Sequence, residues 1–204
     1  MVCAALLHRL RGVAPVRYWK PIQTGIEQDD DTATVARLGA ARTEEILDEG
    51  IRLPRPVSPH LAARLAGTTI DLAAVAGTID GLDPAARWIV EGAGGALVPL
   101  SDAALMTDLM ARLGLPILVV ARSTLGTINH TLLTLEALRT RGLVAAGVLM
   151  VGGKNADNRD AIERYGKVRV VGELPALDPL DAASLARWAA ADLDAGGHLL
   201  ELIR

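Results

Sequence analysis

The 204-residue chain is half hydrophobic and carries a formal net charge of −3. This balance excludes the strongly basic surface typical of nucleic-acid-binding domains, and no run of about 18 apolar residues indicates a membrane span. With Cys3 as its single cysteine, the chain cannot form an internal disulfide, which favours a cytoplasmic location. Its length predicts one domain over residues 1–204.

The first predicted elements are a helix, a strand and a polar loop. The apolar residues of MVCAALLHRL recur at helical spacing and Gly12 ends the pattern. VRYWKP predicts a strand, QTGIEQDDD a polar loop, and Thr32–Leu38 a helix that ends at Gly39. GIRL predicts a short strand within an irregular, proline-rich segment. Ser58 and Asp71 are N-cap candidates for helices in PHLAARLAG and LAAVAGTIDGL.

The second half of the chain alternates regularly. RWIVEGAGG predicts a buried strand that enters a glycine-rich turn, and LMTDLMARLG a helix that Gly114 ends. PILVVA predicts a strand in the middle of a parallel sheet. Helices in INHTLLTLEALRTRG, NRDAIERYG and DAASLARWAAADL alternate with strands in LVAAGVLMV and VRVVGELP. The pattern predicts an α/β fold of three layers, with helices on both faces of a mainly parallel sheet.

Candidate functional residues lie where the predicted strands end, which is where such sheets bind ligands. Lys20 ends a strand and Thr24 follows it, a combination that suits a phosphate or a carboxylate; the alternative is a surface lysine packed over Trp19. The three carboxylates of QDDDT suit a helix N-cap. They also suit a magnesium ligand at Asp31.

Glu91 is the most informative carboxylate. It leaves an apolar strand and enters a run of glycines, and a carboxylate in that position is costly unless it meets a cation or hydrogen-bond donors. The glycines allow a ligand to approach the backbone. An apolar strand that ends in an acid is also the Walker-B arrangement, in which the acid serves magnesium. The alternative is a tight turn with a solvated glutamate.

The segment Leu125–Asn129 begins a predicted helix, and free N–H groups at such a start favour an anion. The alternative is that Ser123, Thr124 and Asn129 only cap the helix. A Walker-A loop needs G-x-x-x-x-G-K-[ST]. Neither GGKN nor YGKV satisfies this pattern, so the sequence contains no Walker-A motif.

Taken in order, these segments resemble the dethiobiotin synthetase family, ATP-dependent cyclo-ligases of biotin synthesis. The matching segments span nearly the whole chain, and VEGAGG together with LGTINH is quite specific. They are WKPIQTG, DDDTATVARLG, SPH, VEGAGGALVPL, DLMARLGLPILVVARSTLGTINHTLLTLEALRTRGL, AGVLM and GELP. The resemblance implies a P-loop NTPase-like fold and a reaction of 7,8-diaminononanoate, CO2 and ATP, with Mg2+, to give dethiobiotin.

The resemblance also implies residue roles. Lys20 would hold the carbamate and the γ-phosphate, and Thr24 would contact the diamine. Asp31 and Glu91 would bind Mg2+ and border the nucleotide. The remaining implied contacts are with the phosphates (Gly92, Ala93, Gly94), with the far carboxylate of the substrate (Leu125, Gly126, Asn129) and with the nucleotide base (Pro175, Ala176, Leu177). The carboxylate contact would come from the other subunit of a homodimer.

Two departures from the family pattern stand out. The family has an asparagine that reads adenine where this chain has Val151–Gly152–Gly153, so Asn155 is a substitute candidate. The family also begins with a strand and a glycine-rich loop ending in Gly-Lys-Thr, and Met1 falls just after that point. We therefore expect a chain that lacks this strand and loop, with impaired activity and stability. The alternatives are a non-catalytic substrate-binding homologue and a partition-type P-loop ATPase.

Overall fold

The computed structural model describes residues 1–79 and 85–202. It divides the chain into two compact units, one with Met1 and Cys3–Gly114 and the other with Val2 and Leu115–Arg204. Each unit alternates helices with strands that are mainly parallel. This confirms the predicted α/β fold class, while the prediction of one domain over 1–204 stays a prediction.

The first unit contains a parallel sheet of three strands. The helices of this unit are α1 (Val2–Leu10), α2 (Asp31–Leu38), α3 (Pro59–Leu65), α4 (Leu72–Gly77) and α5 (Met106–Leu113). Its strands are β1 (Val16–Trp19), β2 (Ile22–Thr24), β3 (Ile46–Leu47), β4 (Ile51–Leu53), β5 (Arg87–Val90), β6 (Pro99–Ser101) and β7 (Ala104–Leu105). The sheet has the order β3-β1-β5, β2 pairs with β4 in parallel, and β6 pairs with β7 antiparallel.

The register of β1 against β5 decides which loop residues become neighbours. Val16 lies opposite Arg87 and Trp19 lies opposite Val90. The pairing continues one step further, because the Glu91 N–H donates to the Trp19 carbonyl at 2.9 Å. Lys20 and Glu91 therefore leave the sheet side by side.

A buried apolar cluster underlies this sheet edge. Trp19 forms it with Ile22, Leu100, Met106 and Leu109, all almost inaccessible to solvent. The Trp19 indole N–H also donates to the Glu49 carbonyl. Strand β1, which precedes Lys20, is thus anchored by Trp19. Trp19 packs on the face of the sheet opposite to the Lys20 side chain.

Three short elements of the first unit were not predicted. The predicted loop QTGIEQDDD begins as strand β2, because Ile22 is buried and its neighbours pair with β4. Strand β3 and the β6–β7 hairpin lie in segments that the sequence pattern left irregular. Strands of two or three residues are too short for a periodic pattern, so only tertiary pairing defines them.

The second unit is a three-stranded parallel sheet with four helices. Its strands are β8 (Ile117–Arg122), β9 (Ala145–Val151) and β10 (Val170–Leu174), in the order β10-β9-β8. Its helices are α6 (Thr127–Thr140), α7 (Ala156–Gly166), α8 (Ala182–Ala191) and α9 (His198–Leu202). The prediction that PILVVA is a central strand is wrong for this sheet, because β9 is central and Val120 of β8 is 54% exposed.

The two predicted N-caps differ in the structure. The Asp71 carboxylate accepts the N–H groups of Ala73 and Ala74 at 2.8 and 3.2 Å. Ser58 stands at the N-cap of α3, but its side chain makes no capping hydrogen bond. Pro59 follows it, and a proline at N1 starts a helix without needing that bond. The predicted helix after Asp71 extended through residues 80–82, which lie outside the described residues.

We expect Asp71→Ala to lower the free energy of unfolding by about 1 kcal/mol, because two N–H groups lose their acceptor. The matched variant Ser58→Ala should change it by less than about 0.5 kcal/mol. Urea unfolding followed by tryptophan fluorescence measures both. Equal losses in the two variants would contradict this assignment of the caps.

Candidate functional site

The ammonium of Lys20 lies between two carboxylates. Its Nζ is 2.5 Å from Asp31 Oδ2 and donates to Glu91 Oε1 at 3.0 Å. The Gly92 carbonyl lies 3.4 Å away. Lys20 is only 5% exposed, so the two carboxylates take the place of its hydration shell.

Three different elements supply these residues. Lys20 follows β1, Glu91 follows β5, and Asp31 is the first residue of α2. The parallel register of β1 and β5 brings Lys20 and Glu91 together. The alternative for Lys20, a surface side chain, is wrong because the residue is buried.

The two interpretations of the QDDDT segment apply to different residues. Asp30 is the N-cap of α2, and its carboxylate accepts the Ala33 N–H at 3.0 Å. Asp31 instead reaches the Lys20 ammonium. Asp30 thus caps the helix, whereas Asp31 does not cap it and belongs to the charged cluster.

The electrostatics of the cluster keep its cation charged. Burial by itself would lower the pKa of Lys20. The nearby carboxylates of Glu91 and Asp31 outweigh this effect and raise the pKa above its ordinary value. The cluster thus consists of one ammonium between two carboxylates. The ammonium is the group of this cluster that can meet an anion, and the two carboxylates are the groups that can meet a further cation.

Two residues beside Glu91 were missed by the sequence analysis. The Tyr18 hydroxyl donates to Glu91 Oε2 at 3.0 Å, and burial followed by the Glu91 carboxylate raises the pKa of Tyr18. Burial, then Glu91, also raises the pKa of the Cys3 thiol. A signal for Tyr18 was present, because residues i and i+2 of a strand share a face and Tyr18 stands two before Lys20.

The donor set of the cluster fits Mg2+. One oxygen each from Asp31 and Glu91 lies within 3.0 Å of the Lys20 nitrogen, so two carboxylates with hard oxygen donors lie close together beside the ammonium. Mg2+ sites commonly use one or two carboxylates and leave the remaining positions to water and substrate phosphates. Within residues 1–79 and 85–202, no group of three or more His, Cys, Asp or Glu side chains forms a metal cage.

The glycine-rich turn after Glu91 is shaped by its backbone. Gly94 has φ +75°, and a Cβ there would stand 2.9 Å from the Val98 side chain. A Cβ at Gly92 would make an ordinary van der Waals contact with the Met106 side chain. Ala93 is buried, whereas Gly94 is exposed. The turn thus presents an exposed backbone next to the charged cluster.

Thr24, the remaining predicted residue of the first unit, ends strand β2. It lies opposite Leu53 of β4 and is partly exposed. Gly25 then turns the chain with φ +74°. Thr24 therefore stands directly before a turn of the chain.

The other predicted site residues belong to the second unit. Leu125 is fully exposed, Gly126 is the N-cap of α6 with φ +90°, and Asn129 is exposed in the first turn of that helix. The cap makes no side-chain hydrogen bond, so the interpretation that side chains only cap this helix is not supported. Pro175, Ala176 and Leu177 form the loop directly after β10.

Asn155, the suggested substitute for the adenine-reading asparagine, has a structural task. It is the N-cap of α7, and its Oδ1 accepts the Asn158 N–H at 2.9 Å. Its acceptor is therefore already engaged. The capping of α7 by itself explains an asparagine at this position.

In the part of the chain that the structure describes, none of the helices combines the length and the apolar character that crossing a membrane requires.

Comparison with known proteins places these features in a family. A family model described as an AAA domain matches residues 1–184. The chain is 50% identical over 169 residues to the ATP-dependent dethiobiotin synthetase BioD of Paramagnetospirillum magneticum, covering 83% of this chain and 80% of that protein. It is 44% identical to the protein of the same name from Rhodopseudomonas palustris (strain BisB18), covering 86% and 82%.

Two further similarities concern architecture. The biotin biosynthesis bifunctional protein BioCD of Bordetella avium is 46% identical over 84% of this chain and 36% of its own length. The solved structure of a ParA family ATPase from Chlorobium tepidum TLS matches 92% of this chain and 90% of its own, with a TM-score of 0.53 and 9% identity. The latter supports the P-loop NTPase-like α/β fold. From the sequence similarity over most of its length, this chain belongs to the dethiobiotin synthetase family of ATP-dependent ligases.

Proposed function

We propose that this protein closes the ureido ring of dethiobiotin from 7,8-diaminononanoate, CO2 and ATP. The observation that carries this proposal is the buried Lys20 ammonium between Asp31 and Glu91. A phosphoryl transfer needs cations where negative charge develops, and a rigid, desolvated site makes such a cation most effective. The substrates are inferred from family membership. The Lys20 ammonium provides positive charge of the kind that the phosphoryl transfer needs.

The proposed reaction has three steps. One amine of the substrate adds to CO2 and loses a proton, giving a carbamate. A carbamate oxygen attacks the γ-phosphorus of ATP and displaces ADP, which gives a carbamic–phosphoric anhydride. The second amine attacks the carbonyl carbon, phosphate leaves, and the ring is closed. Lys20 is placed to hold the carbamate and the transferred phosphoryl group, both of which are anionic.

The remaining roles follow the family pattern. Asp31 and Glu91 are the residues that would hold Mg2+, which when bound offsets charge on the ATP phosphates. Gly92, Ala93 and Gly94 present backbone toward the phosphates, and Thr24 contacts the diamine.

Residues of the second unit have proposed roles of their own. The start of α6 at Leu125, Gly126 and Asn129 binds the substrate carboxylate. Pro175, Ala176 and Leu177 lie against the base. We infer a homodimer in which α6 serves the partner's substrate.

A product assay tests the proposal. We expect protein incubated with the diamine, 13C-bicarbonate, ATP and MgCl2 to form dethiobiotin that carries one 13C, with one ADP for each ring closed. Mass spectrometry measures the product and a coupled assay measures ADP. Omitting the diamine, bicarbonate, ATP or MgCl2 should each abolish the product.

Two results would overturn the proposal in favour of a stated alternative. Diamine binding in a calorimeter without ADP or product would indicate a non-catalytic binding homologue. ATP hydrolysis that DNA stimulates and the diamine does not would indicate a partition-type ATPase.

A further inference from the structure

We propose that Tyr18 is a positioning residue for the Glu91 carboxylate, which it holds in the orientation that the cation site needs. The inference rests on the proposed function only in taking Glu91 as a cation ligand. Tyr18 lies outside every residue set that the family pattern implies, and it is buried too deeply to touch the substrate.

The two oxygens of Glu91 have different partners. Oε2 accepts the Tyr18 hydroxyl at 3.0 Å, while Oε1 accepts the Lys20 ammonium at 3.0 Å. Two donors on two different oxygens fix both the rotamer and the plane of a carboxylate. Since Tyr18 occupies Oε2, it is Oε1 that meets the Lys20 ammonium, which Asp31 also contacts.

Such support is needed because of where Glu91 stands. It is the first residue after β5, and the hydrogen bond from its N–H to the Trp19 carbonyl holds its backbone but not its side chain. The Glu91 side chain is 26% exposed, and an unsupported carboxylate there would sample several rotamers. Ligands that bind a metal well are usually oriented by a second hydrogen bond of this kind.

The support itself is rigid. Tyr18 is fully buried in β1, where it pairs in parallel with Ile89. It shares a strand face with Lys20, because side chains two residues apart point to the same side. One strand therefore provides both donors to Glu91, and their separation is set by the backbone of β1.

A purely structural alternative makes a different prediction. A buried tyrosine hydroxyl needs an acceptor, and Glu91 satisfies that need whatever its role. Under this alternative, removing the hydroxyl changes stability alone. Under the proposal, Tyr18→Phe keeps the ring and its packing but releases Oε2 to solvent, so that cation affinity falls while the fold persists.

The experiment compares the full-length wild-type chain with Tyr18→Phe and with the matched control Tyr165→Phe. Tyr165, the other tyrosine of the chain, is exposed on α7 beneath the Arg164 guanidinium. MnCl2 is the probe, and its binding is followed by water-proton relaxation. We expect the Mn2+ dissociation constant to rise about tenfold in Tyr18→Phe and to stay within twofold in Tyr165→Phe.

A second readout separates positioning from catalysis. We expect the MgCl2 concentration that gives half-maximal dethiobiotin formation to rise about tenfold in Tyr18→Phe, while kcat at saturating MgCl2 falls less than threefold. If no dethiobiotin forms with any variant, the proposed function fails, but the Mn2+ titration still decides the role of Tyr18. Wild-type-like Mn2+ binding by Tyr18→Phe, or no Mn2+ binding by the wild type, would overturn this inference.

A double-mutant cycle keeps the test decisive if Tyr18→Phe also lowers the melting temperature. Glu91→Gln should weaken Mn2+ binding by itself, and adding Tyr18→Phe to it should weaken binding less than twofold further, because the hydroxyl acts through Glu91. Independent, multiplicative losses in the double variant would instead show that Tyr18 acts through the fold in general.

Discussion

Lys20→Met should lower the rate of dethiobiotin formation by about 10²–10³-fold while the protein remains folded. The side-chain stem is retained, but the cation between Asp31 and Glu91 is lost. A preorganised charge at the position where phosphoryl charge develops typically contributes that factor to the rate. The effect should appear in kcat more than in KM for ATP, because the interaction strengthens in the transition state.

The chain offers a matched control for this variant. Lys167 is exposed at the C-cap of α7 and lies in the second unit, so Lys167→Met removes the same charge from a different surface. It should change kcat less than twofold. Steady-state kinetics of product formation and circular dichroism measure activity and folding for both variants. Comparable kcat values for wild type and Lys20→Met would remove Lys20 from the proposed mechanism.

Glu45→Gln should lower the free energy of unfolding by about 2 kcal/mol at pH 7. Glu45 is 2% exposed and receives two hydrogen bonds from the Arg11 guanidinium, at 2.8 and 2.7 Å. Arg42 adds its guanidinium at 2.7 Å and its backbone N–H at 2.9 Å. Breaking a buried pair costs about 3–5 kcal/mol, and we reduce this figure because Arg42 is largely exposed to screening solvent.

The stability that Glu45 contributes should depend on pH. Burial would raise the pKa of Glu45, but the hydrogen bonds from Arg11 and Arg42 outweigh it and lower the pKa from 4.5 to about 2. A group with a lowered pKa in the folded state stabilises fully above its ordinary pKa and loses that effect as pH falls through the folded value. The difference between wild type and Glu45→Gln should therefore shrink between about pH 5 and pH 2.

The neighbouring Glu44 provides the control. It is exposed and pairs with Arg42 at 3.5 Å, so Glu44→Gln should change stability by less than about 0.5 kcal/mol at any pH in this range. Denaturant unfolding of the three proteins at several pH values tests both statements. A Glu45→Gln effect that is constant with pH, or equal to that of Glu44→Gln, would contradict the assigned pair.

Helix ends illustrate what the sequence could predict. Gly114 was expected to end a helix, and it does so in the left-handed conformation with φ +64°. Asp71 caps α4 as predicted, whereas Ser58 stands at the right position without making its bond. Local chemistry thus predicts where a helix begins. It does not determine whether a given side chain is needed there when Pro59 already favours the start.

The candidate site shows a similar division. Lys20 and Glu91 could be selected from the sequence, because each is a charged residue directly after an apolar strand. Asp31 was selected as one of three consecutive carboxylates, and only the structure separates it from the capping Asp30. Tyr18 was passed over as an ordinary strand residue, since its role depends on a carboxylate 73 positions later in the chain.

The sequence by itself determined the α/β alternation, the family and the charged residues at the strand ends, because these depend on local periodicity and on short motifs. The tertiary structure decided which of those residues meet. The parallel register of β1 and β5 places Glu91 beside Lys20, and the three-stranded order of the second sheet places β8 at an edge. Strand order and the choice of pairing partner arise from contacts between distant segments, and local propensity does not encode them.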